Sequence, residues 1–141
     1  MHERSAENKQ SASRQDESFQ FTGRIRSFRH AFTGIFSMIR CQHNAWIHAV
    51  ATVIVIAGGL FFQLSRPDWC WIVLAVAVVW TAEALNTAFE FLADVASPTF
   101  HPLVRAAKDV AAGAVLITAT ASAIIGVVVF WPYVAVLIAR Q

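Results

Sequence analysis

Cysteine and charge are scarce in this chain. Cys41 and Cys70 are the only cysteines among 141 residues, with neither the number nor the spacing for a disulfide framework or a thiolate metal site. Asp, Glu, Lys and Arg together make up 14%. Basic residues crowd into the first forty positions and the aromatics sit in apolar runs without a basic groove, which argues against nucleic acid as a partner. Glycine-rich phosphate loops are missing as well. There is no Gly-x-x-x-x-Gly-Lys-Ser/Thr stretch and no Gly-x-Gly-x-x-Gly, so a nucleotide would have to bind without a P-loop or a kinase-type glycine loop.

Hydrophobic residues are what the chain has in abundance, at 57%. Residues 1–22 are the exception, carrying both signs of charge and few large apolar groups, and read as a disordered cytoplasmic tail. They lack the apolar core of a signal peptide, so the first hydrophobic segment is expected to stay in the mature protein. Residues 23–141 read as one membrane domain. Over 24–40, Ile25, Phe28, Phe32, Ile35, Phe36 and Ile39 recur at helical spacing while Arg24, Arg26 and Arg29 project elsewhere, the pattern of an amphipathic helix lying at a membrane interface. Three apolar stretches follow, at about 45–64, 69–92 and 111–130, each near the ~20 residues a transmembrane helix needs. The fold class expected is therefore an all-α membrane protein with an interfacial helix and three spans.

Orientation follows from the basic residues. Arg24, Arg26, Arg29 and Arg40 precede the first span, Arg105 and Lys108 separate the second from the third, and the short first loop has only Arg66. By the positive-inside bias the amino terminus and the second loop face the cytoplasm. Trp69, Trp71, Trp131 and Tyr133 fit as interface anchors.

The second span carries the chemistry. Glu83, Asn86, Glu90 and Asp94 follow one another at intervals of three, four and four, which on a helix confines them to an arc of roughly 80°. A carboxylate near mid-membrane costs on the order of 2.5–3.5 kcal/mol by insertion scales, so the stripe calls for a cation or a substrate. Asp94 and Glu90 lie near the cytoplasmic interface and Glu83 about 10 Å deeper, at ~1.5 Å per residue. That separation prevents Glu83 and Glu90 from ligating one ion at the roughly 2.0–2.6 Å of metal–oxygen bonds. The loop Ser97-Pro-Thr-Phe-His-Pro102 returns Lys108 and Asp109 to the same end. Acids, a lysine and a cytoplasmic mouth together suit Mg²⁺-bound phosphate.

Glu83-Ala-Leu-Asn-Thr-Ala-Phe-Glu90, Asp94, Lys108-Asp-Val-Ala-Ala-Gly-Ala-Val115 and Asn44-Ala-Trp-Ile-His48 resemble the small prokaryotic diacylglycerol kinase and undecaprenol kinase family over roughly residues 28–130. The resemblance implies a homotrimer with shared active sites in the bacterial inner membrane, ATP and Mg²⁺ as cofactors, and phosphorylation of a lipid hydroxyl at the cytoplasmic interface. By position, it makes Glu83 the general base, Glu90 a metal ligand, and Asn86, Asp94, Lys108, Asp109 and His101 polar groups around the nucleotide. It also places a second metal-binding glutamate where this chain has Gln42, whose amide oxygen can coordinate but brings no charge. Phe89 replaces an aliphatic residue. His48, near the start of an apolar run, is expected to be a structural hydrogen bonder. Two readings from other classes stand beside this one, a small transporter, which would also need an intramembrane glutamate, and a nonenzymatic scaffold assembled through the small residues Ala114, Thr118, Ser122 and Gly126. The transporter has no use for Asp94, Lys108 and Asp109 at one interface, and Glu83→Gln separates the scaffold, whose assembly it should leave intact, from a kinase, whose turnover it should abolish.

Overall fold

The computed structural model describes residues 23–140, all of them helical or in short connections. The expected tail, 1–22, lies outside the described residues. The chain divides into two compact units, residues 1–37 and 38–141. Helix α1, residues 23–41, crosses that division, with its last turn in the second unit. In the first unit the helical residues Ile25, Phe28, Phe32, Ile35 and Phe36 are all exposed.

The second unit contains three long helices, α2 (His43–Phe61), α3 (Arg66–Ala96) and α4 (Pro102–Ala139). Each is long and apolar enough to cross a membrane. Their ends have local causes. Gln42 is extended, with φ −108° and ψ 119°, and separates α1 from α2. After α2 the chain reverses through Gln63, which adopts a left-handed φ of 52°, while the Leu64 N–H donates back to the Gly59 carbonyl at 3.0 Å. Ser65 then caps α3, accepting from the Asp68 N–H at 3.4 Å, with Pro67 in the first turn where a missing N–H costs nothing. His101 caps α4 in the same way and Pro102 opens it.

The helices outrun the expected spans. The stretch 65–68 is largely the first turn of α3 rather than loop, and α4 starts at Pro102 rather than near 111. With 38 residues, α4 extends about 57 Å at ~1.5 Å per residue, against a hydrocarbon core of about 30 Å. Pro132 is accommodated inside it, close to the carboxyl end.

Packing is concentrated where α2 turns into α3. Leu64, Ile72 and Val129 are buried together, with Phe62, Trp69, Phe130 and Tyr133 against them. The Tyr133 hydroxyl donates to Asp68 Oδ2 at 2.6 Å and accepts the Ser65 N–H at 3.1 Å, while Ser65 Oγ donates to the same carboxylate oxygen at 2.6 Å. An expected interface anchor is thus also the tie between α4 and the α2–α3 turn. Further along, Ser122 Oγ on α4 donates to the Ala75 carbonyl at 3.0 Å, and Trp80 Nε1 on α3 donates to Thr52 Oγ1 on α2 at 3.1 Å. Of the small residues on α4, Ser122 therefore serves packing within one chain.

Gly59 lets the turn close. A Cβ there would lie 2.8 Å from Cη2 and 2.9 Å from Cζ2 of Trp69, whereas one at Gly58 would meet the Phe130 ring no closer than 3.3 Å. Gly59→Ala is expected to destabilise by about 1–3 kcal/mol through overpacking. At Gly58 the gain in helix propensity, up to about 1 kcal/mol, offsets a milder contact. Thermal unfolding in detergent checks this: the midpoint should fall for Gly59→Ala and hardly move for Gly58→Ala.

Candidate functional site

The four polar residues of α3 form a gradient of burial. Glu83 is completely buried, Asn86 is 4% exposed and its neighbour Thr87 3% exposed, Glu90 is half-buried, and Asp94 is exposed. The helix carries its polar stripe from the interior of the bundle out to its own carboxyl end.

Glu90 is the centre of an amide clamp. Because Gln42 breaks the helical run between α1 and α2, its side chain reaches α3, and Nε2 donates to Glu90 Oε2. Asn86 Nδ2, one turn away on α3, donates to Glu90 Oε1 at 3.3 Å. Both carboxylate oxygens are thereby held. At the mouth, Lys108 Nζ lies 3.0 Å from Asp94 Oδ1, so the turn over residues 97–101 brings the lysine to the stripe.

Glu83 has no such company. Neither of its oxygens has a hydrogen-bond partner, and Asn86 Oδ1 is likewise buried and unpaired. His48 Nε2 on α2 lies 3.8 Å from Glu83 Oε2, beyond hydrogen-bond distance. An unsatisfied buried acceptor costs about 1–3 kcal/mol, more if charged. Such a group in a folded protein points to a missing partner or a functional role.

The remaining candidates are more peripheral. His101 Nδ1 accepts the Leu103 N–H at 3.2 Å and so caps α4, while its ring shares a concavity of about 260 Å³ with Lys108 and Phe89. Asp109 is 74% exposed and 4.0 Å from Arg105 Nε, one turn back on α4. The chain brings Gln42, Asn86, Glu90, Asp94 and Lys108 together and leaves Asp109 to one side.

Among the described residues no group of three or more His, Cys, Asp or Glu is placed to hold a metal. The oxygens near Glu90 instead fit a hard dication that brings most of its own ligands. One carboxylate is present, with two amides whose carbonyl oxygens can be turned inward and one of which, Asn86 Oδ1, is already buried without a donor. Mg²⁺ keeps several waters or phosphate oxygens and takes one or two protein carboxylates.

The approach of His48 to Glu83 is the relation sequence reasoning missed. An ionisable residue inside an apolar run was the available signal, but the distance between two helices is not encoded in spacing along either.

The family model for prokaryotic diacylglycerol kinase matches residues 29–130. An undecaprenol kinase of Bacillus subtilis (strain 168) is 41% identical over 108 residues, covering 77% of this chain and 88% of that protein. A diacylglycerol kinase of Synechocystis sp. is 37% identical over 101 residues, covering 71% of this chain and 58% of the longer relative. The family match extends over all of α2 and α3 and every clustered polar residue. The chain belongs to the prokaryotic diacylglycerol kinase family.

Proposed function

We propose that this kinase transfers the γ-phosphoryl group of Mg²⁺-bound ATP to the hydroxyl of a membrane lipid at the cytoplasmic face of the bacterial inner membrane, as a homotrimer with its amino terminus in the cytoplasm. The observation that carries the proposal is the pairing of a fully buried, unpartnered Glu83 with a held carboxylate, Glu90, two turns nearer the interface. A base at membrane depth meets a lipid hydroxyl, and a carboxylate at the interface meets a nucleotide's metal.

Each residue has a role in that arrangement. Glu90 would hold Mg²⁺, with Gln42 and Asn86 as amide partners. Bound there, the ion would neutralise phosphate charge and align the transferred group. Until then the same two amides keep Glu90 oriented by donating to it. Asp94 positions Lys108, whose ammonium group then turns to the remaining phosphate charge. His101 borders the concavity beside Lys108 and would line the nucleotide pocket. Asp109 faces away from this cluster, and its participation requires a site completed by a neighbouring subunit, as a trimer provides. Glu83 accepts the hydroxyl proton as the lipid oxygen bonds to phosphorus and the bond from phosphorus to the leaving oxygen of ADP breaks. The burial that isolates Glu83 also excludes water as a competing acceptor. Residues 24–40 would lie in the interface, their exposed phenylalanines and isoleucines in lipid.

Undecaprenol and diacylglycerol both offer a hydroxyl on a long apolar body. We favour undecaprenol, because the undecaprenol kinase relative matches this chain at higher identity and over nearly its own full length.

Three outcomes are expected. Glu83→Gln should lower kcat by about 10²–10⁴-fold, the usual worth of a general base, while native mass spectrometry still finds a trimer. Unchanged turnover would remove Glu83 from the chemistry. Gln42→Glu should lower the Mg²⁺ concentration for half-maximal transfer by about tenfold, since added ligand charge tightens divalent sites; a Mg²⁺ titration at saturating ATP measures it, and no change would exclude Gln42 from the metal's surroundings. With ATP and Mg²⁺, undecaprenol should be phosphorylated at least about tenfold more efficiently than diacylglycerol, a difference of roughly 1.4 kcal/mol in the transition state; equal kcat/KM values would refute the preference.

A further inference from the structure

His48, whose Nε2 is 3.8 Å from the buried Glu83 carboxylate, lines one end of an apolar groove. The groove runs between α2, α3 and α4, has a volume of about 560 Å³, and is lined by His48 and Thr52 on α2, Ala75 and Val79 on α3, and Ala123 and Phe130 on α4, among others. On α3 its wall residues Ile72, Ala75 and Val79 share a helix face with Glu83, which lies one turn beyond the last of them.

The few polar groups in the groove are already used. Thr52 Oγ1 donates to the His48 carbonyl at 2.7 Å and accepts from Trp80, and Ser122 donates to the Ala75 carbonyl. Nothing along the walls seeks a polar ligand. Beside His48 the situation is reversed. Glu83 is fully buried, both its oxygens lack partners, and His48 Nε2 stops 3.8 Å short of it. The gap is too long for a direct hydrogen bond, and a small shift of the His48 ring, which is partly exposed, would bring an inserted oxygen within hydrogen-bond reach of both groups. A hydroxyl matches both ends: it donates to the carboxylate and accepts from the imidazole N–H.

We propose that His48 is the second partner of the acceptor hydroxyl, and that the groove between α2, α3 and α4 holds the apolar chain that carries it. The inference rests on the lipid-kinase reading and assigns that site a residue and a tail pocket. The ligand is an alcohol whose hydroxyl ends a long unbranched or isoprenoid hydrocarbon. In the bound state His48 fixes the direction of the hydroxyl's lone pairs, and its proton is aimed at Glu83.

Kinetics and chemical mapping test the proposal. His48→Ala should raise KM for the lipid alcohol by about tenfold and leave KM for ATP within about twofold, and His48→Gln, which keeps an N–H donor, should recover most of the loss. A purely structural histidine would change both constants or neither, and Gln would rescue no better than Ala. Independently of turnover, an isoprenoid alcohol bearing a diazirine, irradiated with the wild-type protein in detergent without ATP or Mg²⁺, should label residues 72–80 and 119–130, with less labelling in His48→Ala. Labelling confined to other surfaces, or a groove that a second copy of the chain fills and closes to the probe, would overturn the proposal. If wild-type protein phosphorylates lipid while both tests fail, this assignment alone falls. If it phosphorylates no lipid, the kinase reading falls, and the labelling still reports on the groove.

Discussion

A fully buried carboxylate that makes no hydrogen bond and has only the His48 imidazole at 3.8 Å is the constraint around which this molecule is organised. Glu83 is tolerated because α3 is tied to its neighbours by other means, the Ser65–Asp68–Tyr133 network at one end and the Trp80–Thr52 and Ser122–Ala75 hydrogen bonds along the bundle. Stability lies in the packing around the α2–α3 turn. Unsatisfied polarity lies toward the other end, where Glu83 and Asn86 Oδ1 are buried without hydrogen-bond partners. This separation lets the reactive end keep open valences without loosening the fold.

The stripe on α3 is better viewed as two stations than as one cluster. In the inner station Glu83 is fully buried, and its neighbour His48 borders an apolar groove. The outer station, Glu90 with Gln42 and Asn86, then Asp94 with Lys108, becomes progressively exposed. Two turns of helix hold the stations at a distance that one metal ion cannot bridge, and the function proposed above uses that distance for a phosphoryl group moving from nucleotide to lipid. Gln42 gives the outer station a particular character. A glutamate there would repel Glu90 whenever no cation was present, whereas the amide donates to the carboxylate and holds it in place.

Much of this was legible in the sequence because helical periodicity is a short-range property. The polar face of α3 and the return of Lys108 to it follow from residue spacing and loop length alone, and the lysine is found at Asp94. Helix ends were less legible. Proline at the first turn, with Ser65 and His101 as caps, allowed α3 and α4 to begin earlier than their apolar runs, since capping chemistry rather than hydropathy sets a helix start. Tyr133 was readable as an aromatic anchor but not as the tie to Asp68, and His48 not as the neighbour of Glu83, because both are relations between helices. Asp109 shows the converse: adjacency to Lys108 in sequence turns it about 100° around the helix, toward Arg105 and away from the cluster.

The central claim is that one face of α3 presents a metal-binding carboxylate to a nucleotide and a deeper base to a lipid hydroxyl. A structure of the intact assembly with Mg²⁺, a nonhydrolysable ATP analogue and a long-chain alcohol tests it most directly. The account predicts the ion on Glu90, the terminal phosphate between Glu90 and Lys108, and the alcohol oxygen within hydrogen-bond distance of Glu83. A triphosphate bound away from the α3 stripe, or an alcohol whose oxygen never reaches Glu83, would contradict it.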